Sequence, residues 1–248
     1  QWNPIEYTGS YGNQGFYLNF SDNSGTTATT LGKDSSGNGN NFTPNNFSVS
    51  AGAGNDSVED TPTNNFCTLN PLDKMGTVTL SEGNLKAVIT GNDASLVTGS
   101  FGVSSGKWYY EAVADTAGAG FVGWIRKDVS SYTGNSFQQS GSLIYFSQNG
   151  ALYKDGVGGQ SYGTSYGNGD LIGCAINLDD NQVTFYKNNS SQGTVSITAG
   201  TYNPNIAAGG SSATFTFNFG QRAFSYTPPT GFKALNSANL PDPTILLP

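Results

Sequence analysis

Few residues in this chain of 248 are of types that carry out chemistry, and histidine is not among them. Without histidine neither a Ser-His-Asp nor a Cys-His constellation can form, and the commonest general base is missing. Two cysteines, Cys67 and Cys174, are too few for a Cys/His zinc centre. No GxxxxGK[ST] loop is present to cradle phosphates. Glycoside hydrolysis asks for less, since two carboxylates at a suitable separation suffice. The glutamates are Glu6, Glu59, Glu82 and Glu111, and only Glu111 stands in a strand-like run, "WYYEA", with Asp115 as its nearest acidic neighbour. A hydrolase would therefore have to rest on an unfamiliar Asp pair, and no catalytic residue is assigned.

Metal chemistry has one candidate. "DSSGNG" over 34–39 matches the first half of a calcium loop, with Asp34 and Asn38 as ligands. The bidentate Glu near position twelve is missing, and Asn45 stands there. The favoured reading is an Asn/Gly turn in which Asp34 bonds its own backbone. No cofactor is expected, and Ca²⁺ is the one ion the pattern could take.

Binding chemistry is better represented. "RKDVSSYTGNSFQQSG" (126–141) carries Arg126, Tyr132 and Phe137, and "GVGGQSYGTSYGNG" (156–169) carries Tyr162 and Tyr166. Tyrosine in a Gly/Ser-rich loop offers amphipathic contact area at low entropy cost. Arg126, Tyr132, Tyr162 and Tyr166 are the candidate ligand-binding residues. The competing reading has the tyrosines closing the ends of a core.

Such loops need a rigid support, and the chain supplies strands. "GDLIGCAINLDDNQVTFYKNN" (169–189) alternates Ile172, Cys174, Ile176 and Leu178, then Val183 and Phe185, around Asp179, Asp180 and Asn181: a hairpin. "TVTLS" (77–81), "NLKAVIT" (84–90), "GKWYYEAVA" (106–114) and "AGFVGWI" (119–125) read as strands. So do "SLIYFS" (142–147) and "ALYKDG" (151–156), joined at Asn149-Gly150. "GTVSIT" (193–198) and "ATFTFNFG" (213–220) complete the series. "GFYLNFSD" (15–22) is expected to be a short strand, with Phe16, Leu18 and Phe20 on one face. The Gly/Asn/Ser/Thr stretch from 23 to 62 is expected to hold short strands or a packed loop. Period-two patterning and regular turn signals predict an all-β fold, a two-sheet antiparallel β-sandwich, with Trp108, Ile176, Phe185 and Phe217 in its core.

Composition agrees. Charged residues are only 11%, and 13 Tyr and 15 Phe supply β-compatible bulk. The net charge of −7, with no basic stripe, argues against nucleic acid as a partner. No run approaches the roughly 18 apolar residues of a membrane helix, and anionic membrane surfaces are disfavoured by the same charge. Cys67 and Cys174 are read as reduced core residues, with a disulfide between them left open. Six Asn-x-Ser/Thr sequons, at Asn19, Asn41, Asn46, Asn55, Asn188 and Asn189, are at the level of chance in so Asn- and Ser-rich a chain. The start at Gln1 and the proline-punctuated "NLPDPTILLP" end suggest a segment of a longer polypeptide ending in an extended linker (236–248).

"GKWYYEA", "FVGW", "YFSQNGALYKDG", "GDLIGCAINLDDNQVTFYKNN", "YNPNIAA" and "TFNFGQRAFSYTPPTGFKAL" occur in that order. Together they resemble the SPRY (B30.2/SPRY) domain over roughly 105–235, with the family's concanavalin-like jelly-roll sandwich. Asn189 departs from the Gly of the family's "YKNG" and is expected to widen that hairpin loop. "FYLNFSDNSG", "LGKDSSGNGNNFTPNNFSVS" and "DTPTNNFCTLNP" look like segments that precede SPRY domains in tailed-phage structural proteins. "DSSGNGN" is also similar to a turn in lectin-like sandwiches, whereas the ExDxxE pattern of sandwich glucanases is absent. The resemblance implies one globular domain: amino-terminal strands and loops (1–104) packed on an SPRY-like core (105–235). It implies a non-catalytic recognition module of a phage virion protein, as fibre, spike or head decoration at the virion surface. Its end loops would bind a host surface glycan or protein, and other virion proteins would be its neighbours. The alternative is a structural domain that self-associates as a homo-oligomer, and a glycan hydrolase ranks third.

Overall fold

A computed structural model describes residues 5, 7–50, 56–58, 61, 63–91, 95–128 and 134–241. The chain divides into two compact units, residues 1–63 and 64–248.

The larger unit is two antiparallel sheets. The first runs β1 (Leu69–Met75), β4 (Ser95–Gly99), β13 (Tyr202–Ala208), β6 (Gly120–Arg126), β7 (Ser142–Phe146), β8 (Leu152–Lys154), β9 (Val157–Gln160). The second runs β12 (Ser190–Ser196), β11 (Gln182–Lys187), β10 (Leu171–Asn177), β5 (Lys107–Thr116), β14 (Ala213–Asn218), β3 (Lys86–Ile89), β2 (Val78–Ser81). The short β15 (Lys233–Ala234) pairs in parallel with Trp108 and Tyr109 of β5, just beyond the stretch that β14 covers. No helix occurs among the described residues.

Alternation builds the core between the sheets. Trp108, Tyr110, Ala112 and Ala114 of β5 meet Val122 and Trp124 of β6, Phe185 of β11, and Phe215, Phe217 and Phe219, all buried in one cluster. Ile176 joins the same cluster, so the expected core residues are all there. Tyr110 packs edge-on against Trp124 at 5.0 Å, and its hydroxyl donates to Gly123 O of the opposite sheet. A second, smaller cluster of Leu96, Phe121, Ile144 and Ala207 lies on the outer face of the seven-stranded sheet. Cys67 and Cys174 are buried free thiols, and burial pushes the Cys67 thiol up to about 11.

Three expectations are corrected. Residues 15–22 form no strand: Phe20 takes φ 52°, and Tyr17 N donates to the Asp34 carboxylate instead of to a neighbouring strand. The Asn188–Asn189 loop is not widened. Both residues take positive φ, 45° and 68°, and Lys187 pairs with Ser190, which is a two-residue hairpin turn that asparagine tolerates. The 156–169 segment is not all loop, because β9 occupies Val157–Gln160. The hairpins at Asn149-Gly150 and at 178–181 form as expected. Of the residues read as an extended linker (236–248), Asn236 is buried and bridges Phe66, and Leu240 packs against the core; 242–248 lie outside the described residues.

In the smaller unit, no strand occurs among the described residues. Its organising group is Asp34, whose carboxylate accepts hydrogen bonds from Tyr17 N, Ser36 N, Ser36 Oγ and Asn40 N at 2.8–2.9 Å. Asn38 and Asn40 in turn donate their amides to the carbonyls of Gly12, Asn13 and Gly15.

Candidate functional site

At one end of the seven-stranded sheet, several connections meet. β6 ends at Arg126, whose N–H donates to Gly141 O, so the 127–141 loop leaves and returns across one rung. Lys127 N donates to Thr201 O, which ties in the link between β12 and β13. The β8–β9 turn is the two residues Asp155 and Gly156, both at positive φ, as the Asp-Gly pair favours.

Charge is concentrated here. The Arg126 side chain is only 12% exposed. Its Nε lies 3.6 Å from Asp128 Oδ1 and its Nη2 3.8 Å from Asp155 Oδ1. The two aspartates are far more open than the guanidinium between them. Lys127 Nζ reaches Asp73 Oδ2 at 2.9 Å, and Thr98 Oγ1 donates to the same carboxylate. Tyr202, buried beside Arg126, donates to Thr198 O at 2.7 Å, and burial lifts its hydroxyl to about 12. Arg126 is thus a semi-buried cation that holds two carboxylates at the surface, where they can accept hydrogen bonds from a partner. Exposed pairs of this kind contribute little to stability.

Tyr162 and Tyr166 do not join it. Tyr132 falls outside the described residues. Tyr166 is a correction: it is 4% exposed, and its hydroxyl lies 3.1 Å from both Gly120 O and Tyr145 O, the carbonyls it serves. Burial raises its hydroxyl well above the usual tyrosine range. Gly120 begins the strand that Arg126 ends, so the two residues sit roughly 20 Å apart along β6.

Tyr162 is a second correction, and its role is structural. The β11–β12 pairing jumps from Thr184↔Thr194 to Tyr186↔Ser191, which leaves Phe185 opposite two residues, Gln192 and Gly193. That is a β-bulge, and it strands a donor and an acceptor. The Tyr162 hydroxyl accepts from Phe185 N at 2.9 Å and donates to Gly193 O at 2.5 Å, closing both. Gln192 Oε1 accepts from Thr164 N at 2.9 Å, so the 161–170 loop is pinned along this edge. Both rings close the loop from within.

The remaining candidates have internal duties as well. Asp34 commits both carboxylate oxygens to N–H and O–H donors. Among the described residues no group of three or more acidic, cysteine or histidine side chains could hold a metal. Glu111 is 2% exposed and accepts from Tyr109 Oη at 3.2 Å, Ser225 N at 2.8 Å and Tyr226 N at 2.9 Å. Asp115, four residues on, accepts from Thr216 Oγ1 at 2.6 Å. Four strand residues set the two Cα atoms about 13 Å apart, and each carboxylate is turned to its own donors. The group missed by sequence reasoning is Asp128–Asp155, although the Asp155-Gly156 turn signal was there to be read.

Known proteins resemble the larger unit. The chain is 31% identical over 143 residues to a probable ATP-dependent RNA helicase, ddx1, of Dictyostelium discoideum. It is 28% identical over 137 residues to ATP-dependent RNA helicase Ddx1 of Drosophila melanogaster. The aligned parts are 56% and 51% of this chain but only 18% and 17% of those proteins, so the chain spans less than a fifth of either relative. The solved SPRY domain of human HERC1 superposes with a TM-score of 0.54 at 18% identity, over 62% of this chain and 99% of that one. Residues 107–222, just under half of the chain, match the SPRY domain family, and the sandwich described above has the fold of the solved SPRY domain.

Proposed function

We propose that the larger unit is a non-catalytic recognition module that meets its partner with the end of the seven-stranded sheet around the 127–141 loop. SPRY domains are protein–protein interaction modules, so a protein partner is the first reading. The observation that carries it is the Arg126 arrangement, a semi-buried cation presenting the Asp128 and Asp155 carboxylates. Such a surface suits a partner segment rich in hydrogen-bond donors or positive charge. The Glu111 and Asp115 duties support the non-catalytic part.

The setting we propose is a phage virion, at the surface of a fibre, spike or head, with a host surface protein or glycan as target. Its support is the resemblance of segments within 16–71 to ones that precede SPRY domains in tailed-phage structural proteins. The curated relatives named above are eukaryotic, and they align with only part of the chain.

The test is binding of purified protein to host envelope fractions, with and without prior protease treatment. Asp128→Asn combined with Asp155→Asn is expected to cut binding at least tenfold while the melting temperature stays put. Undiminished binding by that variant removes the site. Binding that survives protease but not glycan oxidation turns the target from protein to glycan. Antibody labelling of intact virions checks the setting, and absence of label from the particle rejects it.

A further inference from the structure

We propose that Asn38 is a site of spontaneous covalent modification, where the Asn38-Gly39 pair converts to aspartate and isoaspartate and so loosens the hold of the Asp34 turn on residues 7–15. The chemistry belongs to the dipeptide. The backbone nitrogen of Gly39 gives up its proton and attacks Asn38 Cγ. The new C–N bond closes a five-membered succinimide while the bond to Nδ2 breaks and ammonia leaves. Water then opens the ring at either carbonyl, giving aspartate or isoaspartate. The step asks for an exposed amide, a backbone N–H not engaged elsewhere, and a following residue without a side chain to shield it. The chain has three such pairs, Asn38-Gly39, Asn149-Gly150 and Asn168-Gly169, and the fold treats them differently. Gly150 N donates to Phe146 O at 3.0 Å, and a Cβ on Gly150 would lie 2.2 Å from Gly163 O, so that peptide is closed in. Gly169 N donates to Ala114 O at 2.7 Å. The side chains of both asparagines are also held, with Oδ1 accepting from Ala151 N at position 149 and from Ala117 N at position 168. Gly39 N has no hydrogen-bond partner among the described residues. Asn38 and Gly39 are both exposed, and a Cβ on Gly39 would meet nothing within 4 Å.

The consequence follows from what the amide does before it is lost. Asn38 Nδ2 donates to Gly12 O at 2.6 Å and to Gly15 O at 2.9 Å. Gly15 O has a second donor in Asn40 Nδ2 at 2.9 Å, whereas Gly12 O has no other among the described residues. A carboxylate only accepts hydrogen bonds, so either product sets oxygen against oxygen at Gly12. It also adds a negative charge to a unit whose residues, 1–63, carry six acidic side chains and one basic one, and the new charge stands close to the Asp34 carboxylate. The stretch from 7 to 15, which includes Tyr7 and Tyr11, then rests on Asn40 for its side-chain hydrogen bonds to the turn. The change is irreversible and needs no partner, and it lies wholly within the smaller unit, so it stands or falls independently of the proposed recognition surface.

Two measurements on the whole chain test this. The protein is kept warm in mildly alkaline buffer for weeks, and its peptides are mapped by fragmentation mass spectrometry. Asn38 is expected to convert several-fold faster than Asn149 or Asn168, with both aspartate and isoaspartate at position 38. In urea the three rates should converge. Conversion at Asn38 no faster than at the other two pairs overturns the proposal, and so does a difference that persists in urea, since the fold would not be its cause. The second measurement is hydrogen exchange of Asn38→Asp, which carries the aspartate product from the start. Amides within 7–17 are expected to exchange several-fold faster than in the unmodified chain, with the larger unit unchanged. Exchange over 7–17 at the original rate overturns the loosening. The mapping needs no variant, so it decides on the modification even if Asn38→Asp fails to fold.

Discussion

A tyrosine can look like a contact residue and still be a structural plug, and Tyr162 and Tyr166 show how. Tyr166→Phe removes one hydroxyl from two buried carbonyls, so a loss of about 1–2 kcal/mol is expected. For a unit of this size that corresponds to roughly 2–4 °C per kcal/mol in a thermal melt. Tyr162→Ala removes a ring that packs edge-on against Tyr145 and Phe185 and reopens the bulge, so about 3 kcal/mol is expected. Melting temperatures unchanged in both variants would return these rings to the surface. Asp34 gives a pH signature in the smaller unit. Burial raises its carboxyl, but the hydrogen bonds from Tyr17 N, Ser36 and Asn40 N outweigh this and hold it at about 2, below the usual 3.8. A depressed folded value means that its contribution is complete above about pH 4 and is lost as pH falls through about 2. NMR titration of the Asp34 carboxyl should show it still ionised at about pH 3, and a midpoint near 4 would mean that the turn is loose.

At the level of elements, the Asn188–Asn189 turn is the cleanest case for substitution. Both residues sit in the left-handed region, which costs a β-branched side chain ~1–2 kcal/mol. Asn189→Val is therefore expected to lower stability by that amount, and Asn189→Gly to raise it by a few tenths, as read by urea unfolding. Equal midpoints for the two variants would show that the turn is not type I′. The same physics explains which elements were legible. β5, β10, β11 and β14 were legible because their larger apolar residues alternate toward the shared core, although β10 is covered on both faces. β4, "SLVTG", is buried at all five residues, so it has no alternation to read. β1 carries Pro71 and a register shift that leaves Leu72 almost wholly exposed. β13, "YNPNIAA", has a proline in an interior strand, which ordinarily argues against one. Here Pro204 lies just outside the β4 pairing, which begins at Asn205, so its missing N–H is not needed. Of the site, Arg126 was legible as a cation opening an aromatic loop. Its two carboxylates come from residues 128 and 155, which only the sheet register brings together. Tyr162 was misread for a related reason, since a bulge exists between two strands and leaves no mark in either.

The whole molecule limits how it can associate and how far it can be trimmed. Three of the four edge strands, β12, β2 and β1, are blunted. Along β12, Lys154 donates to the carbonyl of Ser196. Lys74 Nζ covers Val78 O on β2, and β1 is broken by proline and a bulge. These devices oppose strand-to-strand addition, so self-association through sheet edges is the weaker structural reading. Trimming follows from what the SPRY match leaves out. The match ends at residue 222, yet Phe224 packs edge-on against Tyr109 at 5.1 Å, and Ser225 and Tyr226 donate to the buried Glu111 carboxylate. Leu235 is fully buried, and its carbonyl accepts from Cys67 N at 2.9 Å. Before the match, β1 to β4 supply two strands to each sheet. A fragment of 107–222 would lack these four strands and would leave Glu111 as an uncompensated buried carboxylate, a cost of several kcal/mol against a typical stability of ~5–15. It is expected to be unfolded, with no cooperative melt. Residues 64–241 retain every strand and the Glu111 partners, and they should melt cooperatively within a few degrees of the full chain. A folded 107–222 fragment would show that the flanking strands only decorate the sandwich, whereas an unfolded 64–241 fragment would mean that it depends on the amino-terminal unit.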